Sequence, residues 1–143
     1  AVGFKFPLKR VLLSTGPQES KVDFLPAARR LSEMGVALLG TPGTAAFLKS
    51  HGLDIQSVDW PLAGGPNAAD THISRGGVDL VVNIPKDYRT EELTNGYLIR
   101  RASADFGVPL VTNIQQAKRI VESVSRKGAK DLAIKSWQEY VRT

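Results

Sequence analysis

Residues 36–52 read VALLGTPGTAAFLKSHG, and the fold class turns on them. Five mostly apolar residues, VALLG, run into TPGT, and a helical pattern, AAFLKSHG, begins at once. An apolar run, a tight turn and an amphipathic stretch make a strand–turn–helix unit, the repeating piece of an α/β sheet. Pro-Gly alone would serve the turn. The flanking hydroxyls point to a second use. A helix start exposes unpaired backbone N–H groups and the positive end of the helix dipole. Gly43 lets backbone approach a ligand closely, and Thr41 and Thr44 add hydroxyl donors. Together they form a seat for a phosphate or a carboxylate. The plainer use of Thr44 is as a helix cap.

Working outward, the same unit recurs. RVLLST (10–15), VALLG (36–40), DIQSV (54–58), VDLVVN (78–83) and VPLVT (108–112) read as strands. Three are near-continuous in Val and Leu, as expected of strands covered on both faces in a parallel sheet. Helical patterns fall at 24–35, 45–52, 94–107, 113–124 and 129–143. In the first, Leu25, Ala28, Leu31 and Met34 share a stripe, Asp23 is placed to cap, Pro26 falls in the first turn and Gly35 ends the helix. In the third the stripe is Leu98, Ala102 and Phe106. In the fourth it is Ile114, Ala117, Ile120 and Val121 behind an Asn113 cap. In the last, Leu132, Trp137 and Tyr140 are the packing residues. PLAGGPNAAD (61–70) reads as a long polar, glycine-rich loop, a functional or mobile segment. Residues 1–9 read as a linker and 10–143 as one domain. The expected architecture is an open, doubly wound parallel sheet.

Ligands in such sheets bind beyond the carboxyl ends of the strands. The tips there are Ser14-Thr15-Gly16, Thr41-Pro42-Gly43-Thr44, Asp59-Trp60, Asn83-Ile84-Pro85-Lys86 and Thr112-Asn113. Four of the five carry hydroxyls or amides. Asn83 closes an apolar strand, where an amide calls for a partner. Trp60 offers either core packing or a flat apolar wall for a ligand. The candidate acids, Asp59 and Asp87, have no paired acid. With 143 residues the chain has length enough for a core burying roughly 68–70% of its unfolded surface. It has no cysteine, which excludes disulfides and thiolate chemistry, and its two histidines, His51 and His72, are isolated. No metal-ligand spacing, Walker loop, G-x-G-x-x-G or G-x-S-x-G is present. The net charge of +5 and pI of about 9.7 arise from dispersed Lys and Arg, a bias toward anions rather than a nucleic-acid stripe. No apolar run reaches the length of a membrane helix, and the start lacks the features of a signal peptide. A binding edge without acid–base machinery reads as a sensor.

The chain resembles the methylglyoxal-synthase-like superfamily, and within it the C-terminal allosteric domain of the carbamoyl-phosphate synthetase large chain. The resemblance is carried by GFKFPLKRVLLS, LLGTPGTAAFLKSHG with VDWP after it, DLVVNIP, and NGYLIRRASADFGVPLVTN. It implies a three-layer, Rossmann-like α/β fold with a five-stranded parallel sheet, and a linker from a preceding synthetase domain at 1–9. It implies an effector site at Thr41, Thr44, Trp60 and Asn83, completed by Asn95, with Gly43 in the turn and Lys21 just past the first strand as an added phosphate contact. Lys86 stands where that set has a further Asn, and as a cation beside Asn83 it could serve a carboxylate or a phosphate. Lysine stands at the place of Trp60 in bacterial-type synthetases inhibited by uridine nucleotides. Tryptophan stands there in N-acetylglutamate-activated synthetases and in pyrimidine-pathway enzymes that respond to UTP. The effector is thus N-acetyl-L-glutamate or a UMP-, UTP- or IMP-type nucleotide.

No catalytic residue, metal ligand or cofactor is expected in the domain itself; the host, a ligase, would use ATP and Mg. The implied partners are the anionic effector and the ATP-binding domains of the same chain, with a homo-oligomer open and neither nucleic acid nor membrane involved. The implied setting is the cytoplasm or mitochondrial matrix, in pyrimidine or arginine biosynthesis or the urea cycle. Two other family activities fit less well. Methylglyoxal synthase needs an Asp after a Gly-Gly pair, where this chain has Pro66, and IMP cyclohydrolase needs a Lys- and His-bearing segment that is absent. A basic nucleic-acid- or partner-binding module is the remaining alternative.

Overall fold

The computed structural model describes residues 8–85 and 90–130. β1 (Arg10–Thr15) leads to α1 (Gln18–Glu33), and β2 (Ala37–Gly40) to α2 (Pro42–Ser50). β3 (Gln56–Ser57) leads to a 3-10 turn (Pro61–Ala63) and then α3 (Ala69–Ser74). β4 (Leu80–Ile84) precedes α4 (Thr90–Asp105), and β5 (Leu110–Val111) precedes α5 (Ile114–Lys130). All strand pairs are parallel, in the order β3-β2-β1-β4-β5.

The central strands β1, β2 and β4 are mostly apolar because both faces are covered, whereas the edge strand β3 is polar and exposed. Alternation sends Val11 and Leu13 of β1, with Leu80 and Val82 of β4, to a core shared with Phe24, Ala28 and Leu31 of α1, Leu48 of α2 and Val121 of α5. Leu12, Leu39 and Val81 point the other way, onto Ile73 of α3 and Ile99 of α4. Three layers result, as expected. The chain runs outward from β1 to β2 and β3, then returns to β4 on the other side of β1. The switch point therefore lies between β1 and β4, and beyond their carboxyl ends is where sheets of this kind take ligands.

Several local expectations change. α1 begins at Gln18, so Asp23 lies inside the helix and caps nothing. Its carboxylate instead receives Lys118 Nζ at 2.6 Å and Gln115 Nε2 at 3.1 Å, tying α1 to α5. Pro26 is in the helix interior, not the first turn. Phe24, 1% exposed, is the buried anchor, while Met34 is 37% exposed. Gly35 does end the helix, with φ +83°. In α4 the buried face is Asn95, Ile99 and Ser103, one residue out of step with the expected Leu98, Ala102 and Phe106; Phe106 is exposed. Two polar residues on that face hid its period. Segment 61–70 holds the 3-10 turn and the start of α3 rather than a long loop. Asp59 bridges Ala68 in parallel, and Asp59 N–H donates to Asn67 O at 2.9 Å. α3 has only six residues, too few to show a period, and buries Ala69 and Ile73. Asn113 caps α5 as expected, its Oδ1 accepting Gln116 N–H at 3.0 Å. α5 continues to Lys130, and Leu132, Trp137 and Tyr140 of the expected last helix lie outside the described residues. At the other end Leu8 packs in the core and Lys9 N–H donates to Asp79 Oδ2 at 2.8 Å. Residues 1–7 of the expected linker lie outside the described residues.

Candidate functional site

Gly40 ends β2 with no room for a side chain. A Cβ there would lie 2.8 Å from Ile55 Cδ1 and 3.2 Å from Ala45 N, so the glycine lets α2 start directly against the sheet. Thr41 is the N-cap residue, with extended backbone, and Pro42 takes the first helical position, where a missing N–H leaves no bond unmade. The threonine hydroxyls do not cap the helix. Thr41 Oγ1 donates to Ser14 Oγ at 3.1 Å. Thr44 Oγ1 accepts Thr15 N–H at 3.0 Å and lies 3.3 Å from Thr15 Oγ1. Ser14, Thr15, Thr41 and Thr44 are each 1–2% exposed. These bonds lock the first turn of α2 to the carboxyl tip of β1. Gly43, between the threonines, is exposed, and Lys21 lies over it: a Cβ at Gly43 would be 3.8 Å from Lys21 Nζ. Lys21 also donates to the carbonyl of Gly16, just past β1.

Asn83 pairs in register with Ser14 across the switch point. It is 3% exposed, and its Nδ2 has no hydrogen-bond partner among the described residues. Such orphaned buried donors are rare and cost free energy unless a ligand or water meets them. Beside it runs α4, where a Cβ on Gly96 would approach Asn83 Nδ2 to 3.6 Å. Asn95 is also 3% exposed, and its Oδ1 accepts Leu62 N–H at 2.9 Å, pinning the 3-10 turn to α4. Trp60 opens that turn and packs partly buried against the core beneath α3 and α4.

The expected site residues thus fall into two groups. Lys21, Thr41, Gly43 and Thr44 gather around the end of β1. Trp60, Asn83 and Asn95 gather around the start of α4. Ser14 joins them, since it accepts from Thr41 and stands in register with Asn83. Lys86, and with it Asp87, lies outside the described residues. Sequence reasoning missed Gly96, whose only local sign was a glycine next to Asn95 inside a helical pattern.

The histidines stand elsewhere. His51 is at the exposed end of α2, its Nδ1 3.0 Å from Phe47 O. His72 in α3 is 3.1 Å from Asn67 Oδ1 through Nε2. Burial first, then the positive charges of Arg10 and Arg75, hold its pKa below the ordinary 6.5. No group of three or more His, Cys, Asp or Glu able to hold a metal occurs among the described residues. The edge offers hydroxyls, amides and the Lys21 cation, donors of the kind that suit an anion.

A three-layer sheet with these tips at its switch point defines an MGS-like domain: the chain belongs to that family, whose model matches residues 23–112. Over 96% of its length it is 33% identical to "Multifunctional protein pyr-3" of Neurospora crassa. Over 87% of its length it is 37% identical to "Carbamoyl phosphate synthase large chain, C-terminal section" of Methanopyrus kandleri. The chain spans 8% of the first of these relatives and 22% of the second. The crystal structure of methylglyoxal synthase from Elizabethkingia anophelis NUHP1 superposes with a TM-score of 0.58 at 16% identity, over 79% of this chain and 77% of that one. That likeness is one of fold.

Proposed function

We propose that this chain is the effector-binding regulatory domain of a carbamoyl-phosphate synthetase. It takes a small anionic metabolite at the carboxyl edge of its sheet and controls carbamoyl phosphate synthesis by ATP-dependent domains of the same host. The observation that carries this reading is the unpartnered Nδ2 of Asn83, buried at the switch point and set in register with the Ser14–Thr41 pair. The similarity to synthase large chains supports the host, and the match to pyr-3 favours a pyrimidine-pathway setting over arginine synthesis or the urea cycle. In that setting the effector is a UMP-, UTP- or IMP-type nucleotide; N-acetyl-L-glutamate is the competing effector. One end of the ligand meets Lys21, Gly43 and Thr44, the other meets Asn83, and Trp60 walls it from the side. Lys86 is assigned to the same anion.

Regulation requires that the effector bind the active and inactive host conformations unequally. A coupling of about 1–3 kcal/mol is typical. Segments 61–70 and 86–95 are the ones proposed to adjust on binding. Isothermal titration against N-acetyl-L-glutamate, UMP, UTP and IMP tests the reading, with phosphate release from dihydroxyacetone phosphate measured in parallel. Saturable binding of one effector without turnover is expected. Turnover, or the absence of any binding, rejects it.

A further inference from the structure

Two arginines follow one another on α4, and the structure treats them differently. Arg101 lies on the outer surface, with Nη1 3.3 Å from Tyr97 Oη and Nε 3.6 Å from Asp105 Oδ2. Arg100 is partly buried and has no hydrogen-bond or ion-pair partner among the described residues. Side chains on a helix lean toward its N-terminus, so Arg100 reaches back one turn. There it lies over Gly96: a Cβ on Gly96 would be 3.0 Å from Arg100 Nη1 and 3.6 Å from Asn83 Nδ2. One small space is therefore bordered by a guanidinium and by the orphaned amide, both of them donors. The N-terminal end of α4, like that of α2, opens on the carboxyl edge of the sheet.

We propose that Arg100 is a direct contact for an anionic group of the ligand, and that residue 96 must lack a side chain for that group to meet Arg100 and Asn83 together. This rests on reading the carboxyl edge as an effector site, and it narrows the ligand. A planar fork of N–H donors beside an amide matches a carboxylate or a phosphate, which accept two bonds side by side. With Lys21 over Gly43 at the end of β1, the site has a cation in each of its two groups. The ligand class is an anion of charge two or more, or one whose single phosphate spans both.

The test pairs each ligand with a counterpart that lacks one of its anionic groups: UMP with uridine, and N-acetyl-L-glutamate with N-acetyl-L-glutamine, titrated calorimetrically into the whole chain. The wild-type chain is expected to prefer the more highly charged member of one pair. Arg100→Gln should weaken that member roughly 10- to 150-fold, the worth of a hydrogen bond to a charged group, and leave the counterpart unchanged. Arg100→Lys should fall between, since it keeps the charge and loses the fork. If Arg100→Gln does not fold, Arg100→Lys carries the test through its loss of preference. Gly96→Val should block binding of the more highly charged member. Undiminished preference in the folded Arg100 variant overturns this contact and leaves the effector site standing. No binding of either pair by the wild-type chain overturns both.

Discussion

Thr44 is the residue where packing and binding are hardest to separate. Its Oγ1 accepts Thr15 N–H at 3.0 Å in a place 2% exposed. Valine keeps the shape and removes the acceptor. Thr44→Val strands a buried N–H, so a loss of about 1–3 kcal/mol is expected, seen as a lower urea midpoint with unchanged slope. Effector affinity should drop in the same variant by roughly 10- to 150-fold if the hydroxyl proton serves the ligand. Wild-type affinity in a destabilised Thr44→Val would assign the hydroxyl to the fold alone. The TPGT stretch announced a polar helix start because Pro-Gly did not account for both threonines. It did not announce which way the hydroxyls turn: Ser14 and Thr15 lie 27 and 29 residues away, and only the pairing of β1 with β2 brings them near. Asn83 was legible for a related reason, as an amide closing an apolar strand. That its Nδ2 is left unpaired among the described residues, with Gly96 of α4 facing it across the layer, is shown by no local pattern.

At the scale of elements, the central strands were readable to within a few residues because a doubly covered strand is apolar along most of its length, while the exposed edge strand β3 shrank to Gln56–Ser57. The helices were harder wherever polar residues sat on the buried face. In α4, Ser103 satisfies itself by donating to Ile99 O at 2.9 Å, and Asn95 by accepting Leu62 N–H, so neither is penalised for burial. α1 ran longer than its pattern, straight through Pro26. A proline inside a helix loses one backbone bond and crowds the preceding turn, at a cost of about 3 kcal/mol. It also stiffens the unfolded chain by about 0.4–1 kcal/mol. Pro26 is exposed, so Pro26→Ala opens no cavity. A net gain of about 2 kcal/mol is expected by urea unfolding. No gain would mean that the missing backbone bond at Pro26 costs this helix nothing.

At the scale of the whole molecule, the sheet separates the proposed binding edge from a titrating one. His72 sits at the amino side, beside Arg10 at the start of β1, and is held neutral by burial and two cations. Its folded pKa is below the unfolded 6.5, so the unfolded chain takes up a proton that the fold resists. Stability is then fully present above about pH 6.5, falls as pH drops toward the folded value, and levels off beneath it. His72→Gln should flatten that part of the profile, read as a smaller shift in urea midpoint between about pH 5.5 and pH 7.5. An unchanged profile would assign the acid sensitivity to other groups. The bond from Leu62 N–H to Asn95 Oδ1 has a consequence of its own. It fastens two stretches 33 residues apart into one unit. A chimera that imports the opening turns of α4 from a relative lacking an amide at position 95 would leave Leu62 N–H without its acceptor and loosen that fastening. Anyone exchanging ligand preference between such domains must transplant the two as a single cassette.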